Sequence, residues 1–166
     1  MTTFKKQVII EDSQEAVWGI VSNLGDIYKF HPGVRKSYYT TDAEVGIGAA
    51  RICELHPAGI IKETVQQWDE GSGFLLQIDP IEKAPPVKEF TGHFQLERVG
   101  TNRTSVSLTI KYDMKLGLIG DLLNKLIIRS KMEEGIDALL KGLKVHIERG
   151  LEIKDAKSLH SILKAA

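Results

Sequence analysis

Apolar and polar residues alternate most cleanly near residues 103–115. Val106, Leu108, Ile110, Tyr112 and Met114 fall on one side of an extended chain, and Ser105, Ser107, Thr109, Lys111 and Asp113 on the other. A period of two predicts a strand with one buried and one wet face. The same parity over 88–98 turns Phe90, Gly92, Phe94 and Leu96 inward and Glu89, Thr91, His93, Gln95 and Glu97 outward. Stretches 4–10, 34–43, 48–55, 60–69 and 73–79 also read as strands. They are set apart by Gly46/Gly48, Pro57–Gly59, Gly71/Gly73, Pro85–Pro86 and Gly100–Asn102. Turn residues at these intervals predict a meander of antiparallel strands.

Two regions follow a helical period instead. Asp12 and Ser13 are candidate N-caps for a helix carrying Ala16, Val17, Ile20, Val21 and Leu24, with Gly25 as its stop. A short second helix over Asp26 to Phe30 ends before Pro32. Residues 118–148 contain no proline, and Ile119, Leu122, Leu126, Ile136, Leu139, Leu140, Leu143 and Ile147 form an apolar stripe. The stripe predicts one helix of about 46 Å, with Gly150 as its end. Gly135 and Gly142 share nearly one face of that helix, for close backbone approach or to leave room for a ligand. The chain therefore divides into a domain over 1–150 and a tail over 151–166, where Leu159, Ile162 and Leu163 mark a candidate short helix. A helix about 10–12 Å across cannot cover seven flat strands. The expected α+β fold is a strongly curved seven-stranded antiparallel sheet wrapped around the C-terminal helix, with two short helices after the first strand. Space between sheet and helix is where function is expected.

Composition narrows the chemistry. Lys and Arg total 22 and so do Asp and Glu, a balance that argues against a nucleic-acid partner. The single cysteine, Cys53, excludes an intrachain disulfide and a cysteine-based zinc cluster. No HxH or HExxH pattern and no phosphate-binding loop occur, so neither metal nor cofactor is expected. The opening MTTFKKQVIIEDS lacks the apolar run of about 7–15 residues of a secretory signal. No stretch reaches the ~18 apolar residues of a membrane span, so the expected setting is cytoplasmic with no integral membrane segment.

Four stretches carry a family resemblance. They are EAVWGIVSNLGDIYKFHPGV, GIGAARICEL, GIIKETVQQWDEG and PPVKEFTGHFQLERVGTNRTSVSLTIKYDM. Together they resemble the START-like, helix-grip (SRPBCC) superfamily, and within it the polyketide cyclase/dehydrase-like proteins. The resemblance spans about residues 4–148 and leaves out the tail. It implies a helix-grip fold around a cavity for an apolar, lipid- or polyketide-like molecule.

The candidate site follows from strand geometry. A hairpin through His56 to Gly59 sets Arg51 opposite Glu63 on one face, and Leu55, Ile61 and Val65 suggest that this face looks inward. The pair reads as a buried structural ion pair or as the anchor for a ligand's polar end. Tyr39, Phe90, Tyr112, Phe74, Met114 and Phe30 are the candidate lining, and Cys53 shares the Arg51 face as a structural thiol. His31 sits in the turn His31-Pro32-Gly33, either stabilising it or moving protons at the cavity rim. Binding, transport or sensing of a small hydrophobic molecule is the first expectation. An enzyme of the cyclase/dehydratase type, with Arg51 polarising a carbonyl and a Tyr or His31 moving protons, is the second. A protein-interaction module using the tail and the apolar stretch GLIGDLLNKLIIRS is the third, and a homodimer is left open.

Overall fold

The alternating stretches form seven antiparallel strands in a single sheet. In this computed structural model, residues 1–83, 86–115, 122 and 127–165 are described. The strands are β1 (Thr2–Ile10), β2 (Val34–Tyr39), β3 (Ala50–Leu55), β4 (Gly59–Asp69), β5 (Gly73–Glu82), β6 (Val87–Gly100) and β7 (Arg103–Met114). The order across the sheet is β1-β7-β6-β5-β4-β3-β2. Every neighbouring pair after β2 is therefore a meander, and only β1 crosses to the far edge. That crossing is made by α1 (Gln14–Val21), a 3₁₀ helix (Leu24–Lys29) and the connection into β2.

Ser13 caps α1 by accepting a hydrogen bond from Ala16 N at 3.1 Å. The predicted stop at Gly25 is not where the helix ends. α1 closes at Ser22, and Leu24 and Gly25 belong to the 3₁₀ helix. The tighter winding turns Leu24 and Ile27 into the core, while Gly25 N donates to the Tyr39 hydroxyl at 2.8 Å. At the sheet's other end, the Trp18 and Trp68 indoles meet edge to face with centroids 5.0 Å apart. Both donate to Glu70, at 2.8 and 2.7 Å. Phe74 stacks on Trp68.

The C-terminal helix α2 spans Arg129–Arg149 and ends at Gly150, whose φ of 65° is the left-handed conformation that glycine adopts without strain. Of the longer predicted helix, residues 116–121 and 123–126, and with them most of the apolar stretch before Ile127, lie outside the described residues. Lys144 fastens α2 to the end of β1 by donating to Ile9 O at 2.7 Å, and Glu148 Oε1 accepts from Glu11 N at 2.7 Å. The two glycines of α2 have different reasons. A Cβ at Gly142 would lie 2.1 Å from Phe30 O, so only glycine lets the helix rest on the chain that follows the 3₁₀ helix. A Cβ at Gly135 would meet nothing within 4 Å.

The tail folds more fully than its weak pattern suggests. α3 (Ala156–Lys164) starts with a reciprocal capping box between Asp155 and Ser158. Ile153 and Leu159 are buried with Val145 on the outer side of α2. Ile153 N donates to Lys29 O at 2.8 Å, so the tail straps the 3₁₀ helix to α2.

The two glycines give a paired prediction. Gly142→Ala should lower stability by about 1–3 kcal/mol through overpacking against Phe30. Gly135→Ala should raise it by about 1 kcal/mol through helix propensity. Denaturant unfolding of the two variants measures both, and equal stability of Gly142→Ala and wild type would contradict the close approach.

Candidate functional site

Residues from β2 through β7 converge with α2 and the 3₁₀ helix on one internal cavity of about 120 Å³. Convergence of six strands on one space shows how far the sheet curls around the helix. Leu76, Ile78, Phe94, Leu108, Ile110 and Leu139 supply much of its apolar wall. Gly92 lies in the wall as well, where even a Cβ would already touch Ile78, Ile110 and Leu108. An open mouth of about 500 Å³ is lined by Pro57, Met132 and Gly135 among others. His31, Leu55, Ile61, Phe90, Ile110 and Ile136 border both spaces, so mouth and cavity share one wall.

One charged pair interrupts the apolar wall. Arg51 and Glu63 are direct partners in the β3–β4 register, as the hairpin geometry requires. Arg51 donates from Nε to Glu63 Oε2 at 2.7 Å, and a second guanidinium nitrogen lies 2.6 Å from the same oxygen. Another Arg51 nitrogen donates to Leu24 O, which ties the sheet to the 3₁₀ helix. Burial opposes the charge on Arg51, but the adjacent Glu63 carboxylate holds its pKa above the usual value. Cys53, two residues along the same face, donates its thiol to Glu63 Oε2 at 3.5 Å. Burial, helped by the Glu63 charge, pushes that thiol up to about 12, so it stays protonated and is not a nucleophile near neutral pH.

His31 stands where the mouth meets the cavity. Its Nδ1 accepts from Gly33 N at 3.0 Å, which closes the His31-Pro32-Gly33 turn. Burial lowers its pKa to about 4, outweighing the nearby Glu63 carboxylate, which favours the charged ring, while Arg51 adds a smaller push in the same direction as burial. The imidazole is neutral at physiological pH.

The structure therefore gathers Arg51, Glu63, Phe90 and His31 around one space and sets the other candidates elsewhere. Tyr39 lies on the sheet edge, its hydroxyl held by Gly25 N. Phe74 is drawn into the cluster of Trp18 and Trp68. Phe30 packs beside His146 and under Gly142. Tyr112 and Met114 are fully inward but fall past Ile110 at the end of β7. A bulge lies at this end of β6, where Phe90 meets the Tyr112 ring edge to face. The β6–β7 register shifts between Lys88 and Thr91, with Glu89 at φ 49°, and the extra residue moves Phe90 relative to Tyr112. Alternation identified the inward face correctly but carries no signal for such a bulge. Ile27 and Ile136 were not singled out as lining. Ile136 belongs to the apolar stripe of α2, whereas nothing in the local pattern marks Ile27 as a cavity residue.

Among the described residues no helix is long and apolar enough to cross a membrane, and no cluster of three metal-ligating side chains occurs.

Comparison with known proteins places this architecture. No curated protein matches the sequence significantly. Solved structures do match the fold. A protein from Nitrosospira multiformis shares 14% identity at a TM-score of 0.70, covering 90% of this chain and 98% of the other. A START superfamily protein from Mycobacterium smegmatis shares 18% at a TM-score of 0.67, covering 89% and 97%. The Zhui aromatase/cyclase from a Streptomyces species shares 13% at a TM-score of 0.64, covering 90% and 97%. Residues 1–148 match the family described as polyketide cyclase / dehydrase and lipid transport. With a seven-stranded sheet gripping its C-terminal helix around an apolar cavity, the chain belongs to that family and has the START-like helix-grip fold.

Proposed function

We propose that this protein binds a small hydrophobic molecule between the sheet and α2. The observation that carries this reading is an inner cavity whose lining is apolar apart from the Arg51–Glu63 pair, Cys53 and His31, and which shares part of its wall with an open mouth. Apolar burial drives binding at roughly 25 cal/mol per Å² removed from water. The Arg51–Glu63 pair at the inner end orients a polar tip of the ligand. Cyclase-type chemistry is the second reading. It draws on His31, the histidine that borders both cavity and mouth. A depressed pKa makes the imidazole a weak base, so proton transfer would demand that the ligand itself bring an acidic proton.

Gly135 lines the mouth and has open space at its Cβ position, which makes it the place to test access without disturbing the core. Gly135→Leu should weaken binding of the uncharged dye N-phenylnaphthylamine at least tenfold, read by fluorescence titration, with thermal stability unchanged or raised. Equal dye affinity in the two proteins, or no dye binding by the wild type, contradicts the proposal.

The His31 ring is also expected to be silent to pH across the neutral range. In an NMR titration the His31 ring should stay neutral down to about pH 5 and protonate near pH 4. Its folded pKa lies below the ordinary value near 6.5, so the unfolded chain takes up the proton first. The His31 contribution to stability is full above about pH 6.5 and is lost as pH falls toward 4. A ring that titrates near 6.5 contradicts the desolvated position.

A further inference from the structure

The Glu63 carboxylate is asymmetrically used. Arg51 Nε, a second Arg51 nitrogen and the Cys53 thiol all converge on Oε2. Among the described residues no such partner is seen for Oε1, and since no buried side-chain oxygen among them is left unpaired, Oε1 is open to the cavity rather than sealed away. The Glu63 side chain is nine-tenths buried and borders the cavity, and its residual exposure of 10% exceeds the 3% of Arg51. The polar end of the cavity thus offers a hydrogen-bond acceptor rather than a cation. Arg51 is already matched by Glu63 and by the Leu24 carbonyl.

We infer that the cavity selects an uncharged apolar molecule carrying a hydroxyl, which donates its hydrogen bond to Glu63 Oε1, and that it rejects the corresponding carboxylate. The discrimination has two physical sources. A hydroxyl gives a hydrogen bond to Oε1 as it covers that oxygen, whereas a ligand that covers Oε1 without donating leaves a newly buried acceptor unpaired, which is costly. A carboxylate would bring a second negative charge beside Glu63, and among the described residues of the cavity wall the one cation, Arg51, is already paired, in a setting where water screens poorly. An ether of similar shape fills the apolar wall but has no proton to give. The inference rests on the binding reading above and narrows its ligand class.

Three ligands of one chain length separate these terms. Decanol, its methyl ether and decanoate are to be competed against N-phenylnaphthylamine at pH 7. Decanol is expected to displace the dye at least tenfold more tightly than decanoate, with the ether weaker than decanol. Glu63→Gln keeps an oxygen acceptor and leaves the Arg51 charge unmatched, so decanoate should gain at least tenfold in that variant relative to wild type. The wild-type series decides without the variant if Glu63→Gln does not fold. Decanoate binding as tightly as decanol, the ether binding as tightly as decanol, or failure of all three to displace a bound dye overturns the inference while the cavity reading stands. Failure of the dye to bind the wild type overturns both.

Discussion

The fold is organised around one costly interaction, the buried ion pair between Arg51 and Glu63. Moving two charges out of water into an apolar wall costs several kcal/mol per ion, and a well-packed apolar pair in their place is often as stable or more so. The pair therefore does not account for itself as a stabilising device. Its geometry does more than satisfy two charges. Through Leu24 O, Arg51 fixes the 3₁₀ helix against β3 and β4, and the same segment leads directly to Phe30 and His31 at the mouth. Loss of either partner would leave a buried charge unpaired and release that segment from the sheet.

The second determinant is a contact that excludes a side chain. Gly142 lets α2 rest on the Phe30 carbonyl, and Ile153 from the tail packs beside the same spot. Three distant parts of the sequence meet there: the segment after the 3₁₀ helix, the middle of α2 and the start of the tail. One end of α2 is held by this contact and by Lys144 and Glu148 on β1 and the residue after it. Toward its start, Gly135 has no neighbour at its Cβ position, and the helix borders the mouth. The cavity lies between the sheet and the Ile136 to Leu139 stretch of α2, while Glu133 nearer the helix start pairs with Lys6 of β1 at 3.5 Å.

Much of this was legible in the residues because the sheet obeys a period of two. The strands, their antiparallel order, the Arg51–Glu63 pairing and the Gly150 helix end all follow from local rules acting within a few residues. Three features did not. The β6 bulge at Glu89 moves Phe90 relative to Tyr112, and a single extra residue leaves no mark in the alternation. The 3₁₀ helix displaces the stop read at Gly25, because Leu24 and Ile27 find burial only in the assembled core. The tail gains its order from Ile153 and Leu159 docking on α2 and the 3₁₀ helix, contacts distant in sequence. Phe74 and Tyr39 face partners that parity alone cannot name: the indole pair in one case, and a backbone N–H of the 3₁₀ helix in the other.

The central claim is that ligand sits between the sheet and α2 against both walls at once. Methyl-resolved NMR tests it most directly, with isoleucine and leucine methyls followed during addition of decanol. The account predicts saturable shifts concentrated at Ile78, Ile110, Ile136 and Leu139, which border the cavity from sheet and helix. Shifts confined to exposed residues such as Ile47, Ile81 and Leu163, with the cavity methyls unmoved, would contradict it.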